Sequence, residues 1–131
     1  MNKTAVNPWA WSTGLGYNQG EIVAGATRTL YCAGQTATDA GGKPAHAGDM
    51  AGQIALALDN LEAVLAGAGM GLANIAKLTV YATDVDLLFR NYGALMSRLG
   101  PAGATPPTTV LGVTRLALPE LIVEIEAIAV G

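Results

Sequence analysis

The C-terminal stretch PPTTVLGVTRLALPELIVEIEAIAVG, residues 106–131, decides the fold. It holds two strand-like runs, 108–113 and 121–130, joined by a turn around Pro119. Side chains two apart on a strand point to the same face. Leu121, Val123, Ile125, Ala127 and Ala129 therefore form one apolar face, while Glu124 and Glu126 share the other with Ile122 and Ile128. Carboxylates among apolar neighbours cost free energy unless they are paired, hydrated or in use. The functional reading of this acidic face is a general acid/base, or a carboxylate that positions a water or an amine. The structural alternative is a pair of acids held by cations across an interface, or facing solvent at a sheet edge.

Working outward, residues 76–82 read as a strand with β-branched Thr79 and Val80. A helix capped by Asp84 or Asp86 follows, with the stripe Leu88, Tyr92, Leu95 and Leu99, and Gly100-Pro101 ends it. Residues 101–107 form a proline-bounded loop. Earlier in the chain, Asp49 caps a helix whose face is Ile54, Leu58, Leu61 and Leu65, widened by Ala57 and Val64 and closed by Gly67 and Gly69. Residues 3–6 begin a strand and 8–18 read as loop. Residues 21–24 and 29–33 read as paired strands around a Gly25-Ala26-Thr27 turn, and 34–48 as a loop. The predicted class is α+β: one domain over 1–131, with a single mixed sheet and two helices on one of its faces.

Composition narrows the function classes. Of 131 residues 51% are apolar, but only 5% are aromatic, so the core is built from Leu, Val, Ile and Ala. Only 13% are charged, about half the usual quarter, which leaves little polar surface and predicts oligomerisation. A second copy of the chain is the expected cover for the sheet's other face. Seven scattered cations and a net charge of −3 argue against nucleic acid as a partner. One Cys and one His leave no internal disulfide, no cysteine-based zinc cluster and no multi-histidine metal site. No metal or cofactor is expected. With no secretory pattern and no membrane-length apolar run, a cytoplasmic location and no membrane association are expected.

Other reactive side chains carry weaker signals. Cys32 lies in the strand-like run Leu30-Tyr31-Cys32-Ala33 with no activating base or cation beside it in sequence, and reads as a buried inert thiol. His46 sits in a Gly/Pro loop and reads as solvated. Tyr17, in GLGYNQG, either caps a pocket or anchors the N-terminal loop. The glycines of that segment lack the strand-turn-helix context of a dinucleotide fingerprint. Gly34-Gln35, directly after a strand, either turns backbone N–H groups toward a ligand or makes a tight strand exit.

Several blocks occur together in one known family. GYNQG (16–20), CAGQ (32–35), QIALALDNLEAVLAGAG (53–69), KLTVYATD (77–84) and VEIEAIAV (123–130) run in order over nearly the whole chain. In these blocks the chain resembles the Rid family, also called YjgF-like or reactive intermediate deaminase proteins. The resemblance implies a Bacillus chorismate-mutase-like fold, a homotrimer with a barrel core and a small-molecule cleft at each subunit interface. It also implies hydrolysis of reactive enamines and imines to keto acids and ammonia.

Residue by residue, the family's cleft tyrosine matches Tyr17 and its cleft glutamate matches Glu124, the candidate catalytic group. The backbone contacts after the third strand match Ala33 and Gly34, and the cleft asparagine falls near Phe89, with Asn91 close by. The carboxylate-binding arginine position, after Pro106-Pro107, holds Thr108, and a frequent cysteine two residues on is Val110. Threonine cannot reproduce the planar bidentate fork of arginine. Such a charge-assisted contact is worth roughly 1.5–3 kcal/mol. The expected activity is thus hydrolysis of an enamine, imine or related C–N compound less anionic than the archetypal substrate, bound by Thr108, Thr109 and backbone N–H groups. The alternative is a non-enzymatic metabolite-binding or regulatory homotrimer.

Overall fold

The computed structural model describes residues 1–131. The main sheet holds five strands. The central one, β7 (Val123–Val130), is flanked on one side by β3 (Thr29–Tyr31) and β4 (Gln35–Thr36), and on the other by β5 (Ile75–Ala82). The outer strand β6 (Thr108–Gly112) runs parallel to β5, and every other pairing is antiparallel. The mixed α+β class is therefore as the sequence predicts. No helix is long and apolar enough to cross a membrane.

Helix α1 (Met50–Gly67) begins where Asp49 accepts a hydrogen bond from Gly52 N at 2.9 Å. Its apolar face, Ile54, Ala57, Leu58, Leu61 and Leu65, is fully buried. It joins one core with Leu78, Val80 and Ala82 of β5 and Val123, Ile125, Ala127 and Ala129 of β7. The alternation read from the sequence is thus the one the sheet uses. Beyond Gly67, Gly69 adopts φ 71° and turns the chain out of the helix.

Two polar side chains of α1 hold the loops around the sheet. Gln53 is fully buried. Its Nε2 donates to Glu120 O at 2.8 Å and His46 O at 3.2 Å, and its Oε1 accepts from Ile122 N at 2.9 Å. Asn60 Nδ2 donates to Thr36 O and Thr38 O, both at 2.9 Å. The 34–48 segment is accordingly not plain loop, since it contains β4 and a bridge between Thr38 and Pro44.

Two further expectations need correction. The segment 21–24 does not pair with 29–33, because β2 (Gly20–Ala24) pairs with β1 (Asn2–Val6) in a separate two-stranded ribbon. Lys3 anchors this ribbon: its Nζ donates to Ala73 O at 2.7 Å and Ile75 O at 2.9 Å, and lies 3.7 Å from Glu21. The ribbon is thereby tied to the start of β5, while β3 hydrogen-bonds to β7. The sheet is therefore one main sheet plus a ribbon rather than a single sheet.

The second helix is broken into α2 (Val85–Arg90) and α3 (Gly93–Leu99). Asp84, not Asp86, is its cap, accepting from Leu87 N at 3.0 Å. Asn91 Nδ2 donates to Leu87 O at 2.9 Å and closes α2 locally, as asparagine does when it competes with helical bonding. The predicted stripe survives the break, with Leu88, Leu95 and Leu99 buried.

Replacing Gln53 by Leu keeps the volume but strands two carbonyls and one N–H. We expect a loss of about 2–4 kcal/mol in chemical denaturation. Asn60→Ala, at a partly exposed site, should cost less.

Candidate functional site

The site begins with a strand irregularity. Tyr31 pairs with Ile128 and Gln35 with Ile125, so a step of four residues on one strand faces a step of three on β7. The extra residue makes a bulge. It turns Ala33 outward into solvent and sets Gly34 against Glu124. A methyl group at Gly34 would lie 2.6 Å from the Glu124 carboxyl carbon and 2.9 Å from its Cγ. Only glycine lets the carboxylate lie against bare backbone here.

Glu124 is half-buried on the open face of the sheet. Burial, and next the nearby Glu126 carboxylate, raise its pKa above the ordinary range for a glutamate. The neighbouring β5 strand presents Lys77, Thr79 and Tyr81 on that face, with Tyr81 opposite Glu124 and Thr79 opposite Glu126. The Tyr81 phenol reaches diagonally and donates to Glu126 Oε1 at 2.5 Å, leaving Glu124 without a protein partner. That hydrogen bond is the first cause of a raised Tyr81 pKa, ahead of desolvation and the two carboxylates. Lys77 Nζ donates to Thr109 Oγ1 at 2.6 Å.

The other face of β6 opens into the largest cavity, about 570 Å³, of the size that small-molecule sites occupy. Tyr17, Phe89, Thr108 and Val110 line it with Thr13, Gly14, Leu15, Gly16, Tyr92 and Met96. Trp11 stands edge-on to Tyr17 at 6.1 Å between ring centroids, and Phe89 is tilted against Tyr92 at 5.7 Å. Gly16, at φ 87°, makes room for the Met96 sulfur, which would lie 2.6 Å from a methyl group there. Burial, and next Tyr17, raise the Tyr92 pKa, so this phenol keeps its proton.

The structure therefore sorts the expected residues into two groups. Tyr17, Phe89, Thr108 and Val110 share the cavity, while Ala33, Gly34 and Glu124 meet at the bulge. Thr108 pairs with Leu78 and Val110 with Val80, both core-facing, whereas Glu124 pairs with outward-facing Tyr81. The two groups thus lie on opposite faces of one sheet. Thr109 belongs to the open face, bound to Lys77, and Asn91 binds its own helix instead of the cavity. Burial pushes the Cys32 thiol up, opposite to what a nucleophile needs, and His46 is exposed in a loop with φ 57°.

Sequence reasoning missed Tyr81, Tyr92 and Met96. The signals were present: Tyr81 alternates with Lys77 and Thr79 on the strand, and Tyr92 and Met96 follow Phe89 at helical spacing.

A mixed α+β sheet covered by helices on one face is the architecture of the YjgF-family structures to which this one is similar. The chain belongs to the Endoribonuclease L-PSP family, also known as the YjgF or Rid family, whose model matches residues 10–131. It is 34% identical over 88 residues to the RutC family protein YjgH of Escherichia coli K12. That match covers 67% of the chain and 66% of the relative, so it spans just under two thirds of that protein. The structure is similar to the Rid family protein YyfB of Yersinia pestis, with a TM-score of 0.88, 32% identity and full coverage of both chains. It is also similar to E. coli TdcF solved with bound serine, with a TM-score of 0.69, 28% identity and coverage of 97% and 93%.

Two substitutions probe the bulge. Gly34→Ala should leave the fold intact, swing the Glu124 carboxylate into solvent and lower its pKa toward the ordinary range. Glu126→Gln, by removing a like charge, should also lower the Glu124 pKa, but by less than full solvation would. Carbon-13 NMR titration of the side-chain carboxyls measures both.

Proposed function

We propose that the chain is a small-molecule hydrolase that adds water to a C=N carbon in a cleft completed by a second copy of itself. The carrying observation is Glu124, an unpartnered, half-buried carboxylate with a raised pKa, lying beside bare backbone at Gly34. A carboxylate so placed suits a general base that takes a proton from water. Water forms the C–O bond, the nitrogen takes protons, and the C–N bond breaks to give a carbonyl compound and ammonia. Backbone at Ala33 and Gly34 would orient the reacting end, and Tyr17 would close the cleft. Thr109 would serve beside Lys77 on the open face.

The opposite-face arrangement supports a homotrimer of the kind the family resemblance implies. One chain would supply Glu124 and its neighbour the cavity of Tyr17, Phe89, Thr108 and Val110. The half-exposed open face of the sheet and exposed Tyr31 and Leu111 are consistent with a covering subunit. A net charge of −3 and scattered cations weigh against a ribonuclease despite the family's description.

A second reading, a metabolite-binding homotrimer without turnover, is favoured by one observation. Thr108 stands where the arginine would be, and its hydroxyl is already bound to Pro106 O at 2.8 Å.

Ammonia release from a panel of enamines and imines tests the hydrolase. Glu124→Gln should lower kcat by about 10²–10⁴-fold. Activity should fall as pH drops through the raised Glu124 pKa, and Glu126→Gln should move that fall to lower pH. Mixed assemblies of Glu124→Gln with a chain carrying Thr108→Trp should regain activity only if the site is shared between chains. Tight ligand binding with no ammonia from any compound would select the second reading.

A further inference from the structure

The 570 Å³ cavity holds no charged residue. Its walls are the rings of Tyr17, Phe89 and Tyr92 together with Leu15, Met96 and Val110. Two threonines line it, and both hydroxyls already donate to backbone: Thr13 to Ala10 O at 2.7 Å and Thr108 to Pro106 O at 2.8 Å. Neither can then donate to a ligand, and what remains on each oxygen is acceptor capacity. The side-chain donors left are the phenols of Tyr17 and Tyr92, for which the structure shows no hydrogen-bond acceptor. Phe89, packed on one side by Tyr92, remains 54% exposed at the rim.

A carboxylate placed here would lose its water and meet no cation among the residues that line the cavity. An aryl or branched alkyl group would displace water from apolar walls and meet rings at stacking distance. We infer that this cavity takes the apolar body of a ligand without a carboxylate, an aryl ketone-type or amide-type compound whose single oxygen or nitrogen accepts from a phenol. The inference rests on the hydrolase reading only for its second half, in which the substrate is an N–H imine of such a ketone. Hydrolysis would then convert the imine and one water to the ketone and ammonia, with no redox partner required.

The test uses the whole purified protein. Acetophenone and benzamide, as neutral aryl probes, are titrated in parallel with benzoate, pyruvate and serine, following the amide NMR signals of Gly16, Phe89 and Val110. The neutral probes should shift these signals and bind at least about tenfold more tightly than benzoate. Phe89→Ala, at an exposed position that leaves the core untouched, should weaken neutral binding about 3–10-fold. Thr108→Arg, which puts a cation into the cavity, should reverse the order and favour benzoate. Carboxylates binding the wild-type cavity as tightly as the neutral probes would overturn the inference, as would no response of the three amides to neutral probes.

The two readings fail separately. Neutral binding at the cavity without ammonia release from aryl ketone imines would sink the hydrolase and leave the ligand class standing. Ammonia release from carboxylate imines by a protein that ignores neutral probes would do the reverse.

Discussion

The buried amide of Gln53 is the constraint on which the site depends. From the first turns of α1 it satisfies two carbonyls and one N–H on segments far apart in sequence. One of those segments is the entry to β7. A buried amide that satisfies three backbone groups fixes position more sharply than apolar packing does, because each lost partner would carry its own desolvation cost. Asn60, two turns further along the same helix, fixes the other flank by holding Thr36 of β4 and Thr38 just beyond it. Between these two clamps lie the strand with Glu124 and the bulge with Gly34. The helix face that builds the core and the helix edge that aligns the acid are thus parts of one element.

On the open face, chemistry is divided by hydrogen bonding. Two carboxylates two residues apart on one strand face repel each other. Tyr81 donates to one of them and breaks the symmetry. Glu124 is left free, and burial, then the Glu126 carboxylate, raise its pKa. Lys77, on the same face, is bound to the Thr109 hydroxyl and not to either acid.

Much of this was legible in the sequence because it rested on local periodicity. The alternation in 121–130 identified which residues of β7 face the core, and the Asp49 cap and apolar stripe located α1. The family blocks pointed to Glu124, Gly34 and Tyr17. What the sequence did not show was non-local. The docking of the β1–β2 ribbon beside β5 rests on Lys3 reaching carbonyls some seventy residues away. The break at Asn91 depends on a side chain capturing the Leu87 carbonyl, which outweighs a continuous apolar stripe. The separation of Thr108 from Glu124 depends on register: a parallel strand and an antiparallel strand meet on β5, and the facing of each follows from pairings that no local pattern encodes.

The engaged threonine hydroxyls have a consequence for water. A cavity whose threonine hydroxyls already serve backbone carbonyls, and whose walls are rings, a thioether and branched chains, holds its solvent by few hydrogen bonds. Water in such a space is loosely ordered and is given up at little enthalpic cost. Association of an apolar ligand there would belong to the non-classical hydrophobic type, enthalpy-driven near room temperature and marked by a negative heat-capacity change, rather than to the salt-sensitive type that a buried arginine would impose.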